Sequence, residues 1–221
     1  MREVVLDTET TGLNPRQGDR VVEIGCIEMI DGIASGQRFH TYLNPERDMP
    51  PGAFAVHGLS RDFLADKPLF AAVAEEFLAF VGEAKLVIHN APFDIGFLNA
   101  ELERVGRPGL SLDQAIDTVL LARQAFPGAQ ANLDALCKRF GIDNTNRTLH
   151  GALKDADLLA RVYVELTGGR QAGLDLATVA TAQVAMSQRT TRPARPHEPS
   201  AEETEAHSLF LKKIPTPVWN A

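Results

Sequence analysis

VVLDTETTGL, residues 4–13, is the stretch whose reading decides the fold. Aliphatic residues lead into two carboxylates two positions apart, Asp7 and Glu9, and the chain then turns on Thr10-Thr11-Gly12. In a β-strand side chains alternate with a period of two, so both acids project from one face. Two carboxylates side by side at the edge of a core repel each other and lose hydration. Something must offset that cost, and a divalent cation between them would.

Working outward, EVVLDTE (3–9), RVVEIGCIEMI (20–30) and QRFHTYLN (37–44) read as three strands of an antiparallel meander, with Asp31-Gly32 supplying a turn. DMPPGAFAVHGLS (48–60) reads as a loop punctuated by Pro and Gly, with Ser60 capping a short helix. LFAAVAEEFLAFVG (69–82) keeps apolar residues at helical spacing, with Phe70, Val73, Ala74, Phe77, Leu78 and Val81 expected in the core. KLVIHNA (85–91) is a short buried strand, and PFDIGFLNAELERVG (92–106) a helix with Pro92 where a missing N–H is harmless. SLDQAIDT (111–118) is another strand, followed by helices over TVLLARQAF (118–126) and NLDALCKRFG (132–141), the second capped by Asn132 and stopped by Gly141. A last helix runs from about Gly151 to Leu166. Strands first and helices interspersed later imply an α/β domain with a mixed central sheet.

Composition narrows the function. With 221 residues there is room for one full domain over 1–168 and a tail. A net charge of −7 argues against a nucleic-acid partner gripped by basic residues, unless the acids hold divalent cations that invert the local potential. Two cysteines, Cys26 and Cys137, sit among apolar neighbours with no CxxC spacing, which argues against a zinc site or a disulfide framework. The start of the chain has no apolar signal-peptide core, and nothing approaches the roughly 18 apolar residues of a membrane span. A cytoplasmic protein with no membrane partner is expected.

Two more acids and a histidine stand out. Asp94, in HNAPFD (89–94), opens a helix that leaves a buried strand, and Asp155, in HGALKD (150–155), opens the last helix of the domain. Carboxylates drawn from a first strand and two later helices are the oxygen donors that Mg²⁺ or Mn²⁺ takes, and two such ions about 4 Å apart can clamp the attacking and leaving oxygens of a phosphodiester. His150 lies five residues before Asp155, on the approach to the site rather than stacked over the aspartate. Its imidazole could accept a proton from the attacking water. Alone, a D-x-E pair is a weak signal, Asp94 could merely complement a helix dipole, and His150 could be a surface or capping residue. The combination is far more specific than any member.

LDTETTGL, HNAPFD and HGALKD together resemble the DEDDh family of 3′→5′ exonucleases, in the histidine rather than the tyrosine branch, since Gly151 stands where the latter has its tyrosine. The resemblance extends along nearly the whole chain to the proofreading subunits of bacterial DNA polymerase III, most closely in AFAVHGLSRDFLADKP (53–68) and LDALCKRFGIDNTNRTLHGALKDADLLARVYVELTGG (133–169). It implies a ribonuclease H-like fold and two metal ions held by Asp7, Glu9, Asp94 and Asp155, with Asp7 bridging them. It also implies His150 as general base, and contacts to the substrate from Asp7, Glu9, Asp155 and His57. Where that family often carries an acidic residue before VHGL, this chain has Gly52, so a contact from that side chain does not carry over.

Residues 169–207 are expected to form a flexible linker; 187–207 in particular is rich in Pro, Ser, Thr and charge and reads as disordered. QAGLDL (171–176) has the Gln-x-x-Leu-x-Leu form of sliding-clamp-binding peptides, with Gln171, Leu174 and Leu176 as anchors. SLFLKKIPTPVWNA (208–221) places Leu209, Phe210, Leu211, Ile214, Val218 and Trp219 after a polar linker, as anchors for a partner. By the resemblance that partner is the alpha, catalytic subunit of DNA polymerase III, alongside the beta clamp, a frayed or single-stranded 3′ DNA end and a small theta-like subunit. The expected function is proofreading at the 3′ end of nascent DNA with release of nucleoside 5′-monophosphates. The rivals are an RNA 3′ exonuclease of the same family, against which the tail argues, and a non-catalytic adaptor, against which the five filled catalytic positions argue.

Overall fold

The computed structural model describes residues 1–145, 149–168 and 198–214. Five strands, β1 (Arg2–Thr10), β2 (Val21–Ile30), β3 (Ile33–Tyr42), β4 (Lys85–Ile88) and β5 (Ala115–Asp117), form one sheet in the order β3-β2-β1-β4-β5. The β1–β2 and β2–β3 pairs are antiparallel, the first three strands forming the expected meander. The β1–β4 and β4–β5 pairs are parallel, so the sheet is mixed. Helices follow as α1 (Pro51–His57), α2 (Arg61–Leu64), α3 (Phe70–Val81), α4 (Ala91–Arg104), α5 (Thr118–Ala125), α6 (Leu133–Phe140) and α7 (Ala152–Leu166).

Strand alternation sorts the core into two layers. Val4 and Leu6 of β1, with Ile24, Leu86 and Ile88, pack against Phe70, Phe77 and Val81 of α3 and Ile95, Leu98 and Leu102 of α4. Val5 of β1, with Ile27, Met29 and Val87, packs against Ala122, Leu136, Cys137, Leu159 and Val162 from α5, α6 and α7. Burying a side chain of this size contributes on the order of 1.5–3 kcal/mol, so each layer holds its helices firmly against the sheet. Asp7 and Glu9 share the parity of Val5 and therefore face the α7 layer, while Thr8 faces the α4 layer.

Two segments differ from their expectation. Residues 51–57 form a helix, α1, rather than a loop: Pro51 supplies a pre-set φ at the first helical position, and Gly58 at φ 73° ends the helix in the left-handed region. In the stretch 111–118 only Ala115–Asp117 pairs as a strand, because Leu112–Gln114 closes into a 3-10 turn and Asp117 caps α5 by accepting from the N–H of Val119. The caps at Ser60 and Asn132 and the stop at Gly141 are as expected.

In the second unit, 175–221, a helix α8 covers Ala201–Leu211. Its first residues fall in the stretch expected to be disordered. Ser200 and Glu203 form a reciprocal capping box there, satisfying N–H groups that a polar sequence otherwise leaves to water. Leu209 and Phe210 are exposed on this helix. Gln171, Leu174, Leu176, Val218 and Trp219 lie outside the described residues. Among the described residues no helix is long and apolar enough to cross a membrane.

Candidate active site

A cavity of about 650 Å³ opens at the C-terminal end of β1, lined by Asp7 to Leu13 together with residues of α1, the start of α4, the start of α6, His150 and Asp155. Glu9, His150 and Asp155 converge there, each offering one donor atom, with these atoms within 4.8 Å of one another. Asp155 and Glu9 are buried, while His150 is half exposed.

Convergence depends on how closely α7 approaches the sheet. Gly25 of β2 pairs with Asp7, and a Cβ placed on it would lie 2.2 Å from the backbone nitrogen of Leu153. The first turn of α7 therefore rests directly on the β2 backbone, and Asp155, in that turn, is carried against the acids of β1. The main chain before it is held too: His150 N–H donates to the Val56 carbonyl at 3.1 Å, and Asp155 N–H to the Gly151 carbonyl at 2.8 Å.

His150 Nδ1 lies 3.4 Å from Asp155 Oδ2. The expectation placed the imidazole on the approach to the site rather than stacked over the aspartate; in the structure it lines the cavity with Nδ1 near that carboxylate. Gly151, extended at φ −166° and ψ 124°, caps the start of α7 between the two residues.

Asp94 stands apart. Its carboxylate is 2% exposed and accepts from the Thr8 hydroxyl at 2.7 Å, on the α4 side of β1, and it does not line the cavity. Burial pushes its carboxyl up to about 7, opposed by the Thr8 hydroxyl and by backbone N–H groups of Asp94 and Thr8, with the Asp117 charge adding to the rise. A carboxyl in that position favours a nearby cation, which would hold it ionised. The oxygen donors of Asp7, Glu9 and Asp155 at the cavity suit a hard divalent ion, and Glu9, Asp155 and His150 share the tight cluster; Asp94, turned to Thr8, does not join it in this structure.

His57, the last residue of α1, is 5% exposed and reaches the same cavity. Its Nδ1 accepts from the Leu59 N–H at 3.0 Å, which leaves the hydrogen on Nε2; among the described residues no group stands in hydrogen-bonding geometry to that buried Nε2, the Thr10 backbone being near it. Desolvation lowers its pKa, opposed by the Thr10 backbone and by Glu23, so the ring is held neutral. Gly52 also lines the cavity, with open space where a side chain would stand.

Sequence reasoning missed Gly25, Glu23 and Thr8. A glycine inside an otherwise β-branched strand is itself a sign of close backbone approach, so EIGCI contained the clue to Gly25.

The family model described as "Exonuclease" matches residues 4–163. The DNA polymerase III subunit epsilon of Rickettsia felis is 54% identical over 222 residues, covering 97% of each chain. The chain belongs to the exonuclease family of DNA polymerase III epsilon subunits. The epsilon subunit of Escherichia coli (strain K12) is 48% identical to this exonuclease over 176 residues, 76% of this chain and 72% of that one. Among solved structures, Exonuclease X in complex with 5′ overhanging duplex DNA is similar at a TM-score of 0.58 and 29% identity, covering 74% of this chain and 90% of that one. Membership makes the chain a 3′→5′ exonuclease of the DEDDh type and bears out the ribonuclease H-like fold. Divalent metals are typical of such enzymes.

Proposed function

We propose that the exonuclease proofreads during chromosomal replication, cleaving the terminal phosphodiester of mispaired 3′ ends of DNA and releasing nucleoside 5′-monophosphates. The observation that carries this reading is the convergence of Glu9, His150 and Asp155 at one cavity beside Asp7. Asp7, Glu9, Asp94 and Asp155 would hold two ions, Mg²⁺ or Mn²⁺. When bound, such ions stabilise charge on the attacking and leaving oxygens of an in-line displacement.

The chain's own groups supply the rest. The Asp155 carboxylate near Nδ1 of His150 favours the tautomer with its hydrogen on that nitrogen, which makes Nε2 the nitrogen that would accept the proton of the attacking water. A phosphorus–oxygen bond forms to that water, the bond to the 3′ oxygen breaks, and the leaving oxygen takes a proton from solvent. His57 Nε2–H, buried and unsatisfied among the described residues, is a donor for an oxygen of the terminal nucleotide. Apolar walls from Leu13, Pro50, Ala53, Val56 and Phe93 suit an unpaired sugar and base. Selection for mismatches follows from fraying, since a mispaired end leaves the duplex at lower cost.

Residues 1–168 would be the catalytic domain and 169–207 a tether carrying the clamp peptide at Gln171, Leu174 and Leu176. Leu209, Phe210, Leu211 and Trp219 would bind the alpha subunit, with a theta-like subunit as a further partner. The exposure of Leu209 and Phe210 on α8 supports an apolar anchor. Tethering raises the effective concentration of nuclease at a primer end, which offsets the weak grip of an acidic protein on DNA. The place of work is then the cytoplasm, at the replisome.

The test compares Asp7→Ala with the unaltered chain on single-stranded and 3′-mismatched primers in Mg²⁺. Loss of hydrolysis with retained co-purification of an alpha subunit is expected; hydrolysis at the original rate would refute the metal assignment.

A further inference from the structure

Beneath the turn that carries His150 lies a carboxylate to which the mechanism gives no part. Glu23 of β2 is the cross-strand partner of Glu9, on the same sheet face, and is 3% exposed. Its Oε1 lies 2.7 Å from Nε2 of His40 on β3. Its Oε2 faces the turn: a Cβ built on Gly151 would stand 3.9 Å from it, in ordinary van der Waals contact.

His40 is fixed in its turn. Its ring meets Tyr42 edge-on at 4.9 Å, and Tyr42 meets Phe63 of α2 edge-on at 5.0 Å. From above, the same turn is tied to α1 by the His150 N–H and to its own helix by the Gly151 carbonyl. Glu23 forms the floor. A third carboxylate beside two others is unfavourable on electrostatic grounds, and a buried one more so unless it is paired, which His40 does.

The geometry points to Glu23, held by His40, as a positioning residue that seats the His150–Gly151 turn and so sets the reach of His150 toward the reacting phosphate. The inference rests on His150 as proton acceptor. Glu23 does not line the cavity, and its effect through His150 belongs to turnover, which a separation of kcat from KM reads. A misplacement of about 1 Å at a reacting group can cost on the order of 100-fold in rate.

The experiment measures kcat and KM for a single-stranded oligonucleotide, using the full chain in Mg²⁺, together with thermal unfolding. Glu23→Ala should lower kcat roughly 10- to 100-fold with KM within about twofold, and Glu23→Gln, which keeps an oxygen opposite His40, should recover to within about fivefold of the unaltered enzyme. A Glu23→Ala enzyme with undiminished kcat would overturn the positioning role. So would equal defects in the Ala and Gln variants accompanied by a matching rise in KM. If Glu23→Ala does not fold, His40→Ala and His40→Gln decide in the same way: a kcat defect in the first that the second relieves supports the role, and full kcat in the first refutes it. His150→Ala separates the two readings. Retained turnover there refutes the proton-acceptor reading and this inference with it, while an inactive His150→Ala beside a fully active Glu23→Ala refutes the positioning role alone.

Discussion

Gly25→Ala is the sharpest test of how the site is assembled. Gly25 sits at a φ open to any residue, so the substitution introduces no backbone strain, only a methyl group. That methyl would stand 2.2 Å from Leu153 N, 2.4 Å from Ala152 C and 2.5 Å from Leu153 Cα. Ordinary contact begins near 3.4 Å, so the first turn of α7 must retreat by about 1.2 Å, and the obstacle is helix backbone that cannot rotate away. Overpacking of this kind costs about 1–3 kcal/mol. Because Asp155 rides on the displaced turn while Asp7 and Glu9 stay on β1, hydrolysis should fall by about 100-fold in the fraction that remains folded. The assay is hydrolysis of a 3′-labelled single strand beside urea unfolding of the same preparation. A Gly25→Ala enzyme within about threefold of normal rate and within about 0.5 kcal/mol of normal stability would refute the claim that close helix–strand approach places Asp155.

Two further outcomes follow from other buried ionisable groups. Glu101, 2% exposed, accepts from Arg20 Nε at 2.6 Å and Nη2 at 2.9 Å and from Arg104 Nη1 at 3.1 Å, joining α4 to the start of β2; Glu101→Ala should lower unfolding free energy by about 3 kcal/mol, with an unchanged urea m-value, and a loss below about 1 kcal/mol would show the bridge to be dispensable. His57 has its pKa lowered below 6.5 by burial, so the unfolded chain takes up the proton first as pH falls, and its contribution to stability is present above pH 6.5 and lost below it. Urea midpoints at pH 7, 6 and 5 should therefore decline less steeply in His57→Gln; parallel declines would refute the neutral, buried assignment.

Much of this architecture was legible in advance because its signals are local. Alternation in VVLDTE set the shared face of Asp7 and Glu9, and side-chain caps at Ser60 and Asn132 marked helix starts through their own hydrogen bonds. α1 escaped notice because Pro and Gly dominate its first turn and its stability comes from tertiary packing, His57 being its buried end. The start of α8 escaped for a related reason: a polar stretch low in apolar residues reads as disorder unless the Ser200–Glu203 capping box is weighed. In the site, residue types and order announced the acids and His150, but distances did not. The 3.4 Å approach of His150 to Asp155 and the turning of Asp94 toward Thr8 depend on backbone angles and on a partner strand far away in sequence.

Asp94 has a second consequence through the sheet. β4 pairs with β1 only as far as Leu6 opposite Ile88, so from Asp7 onward β1 has no strand neighbour on that side among the described residues. There the Asp94 carboxylate accepts from the Thr8 hydroxyl at 2.7 Å, and the Thr8 backbone N–H favours its charged form, so a helix supplies polar contact where the ladder stops. A side chain from a helix stands in for missing strand. Substituting Asp94 therefore loosens the edge of β1 at Thr8 in the same stroke that it removes a carboxyl, and any loss of activity it produces measures both.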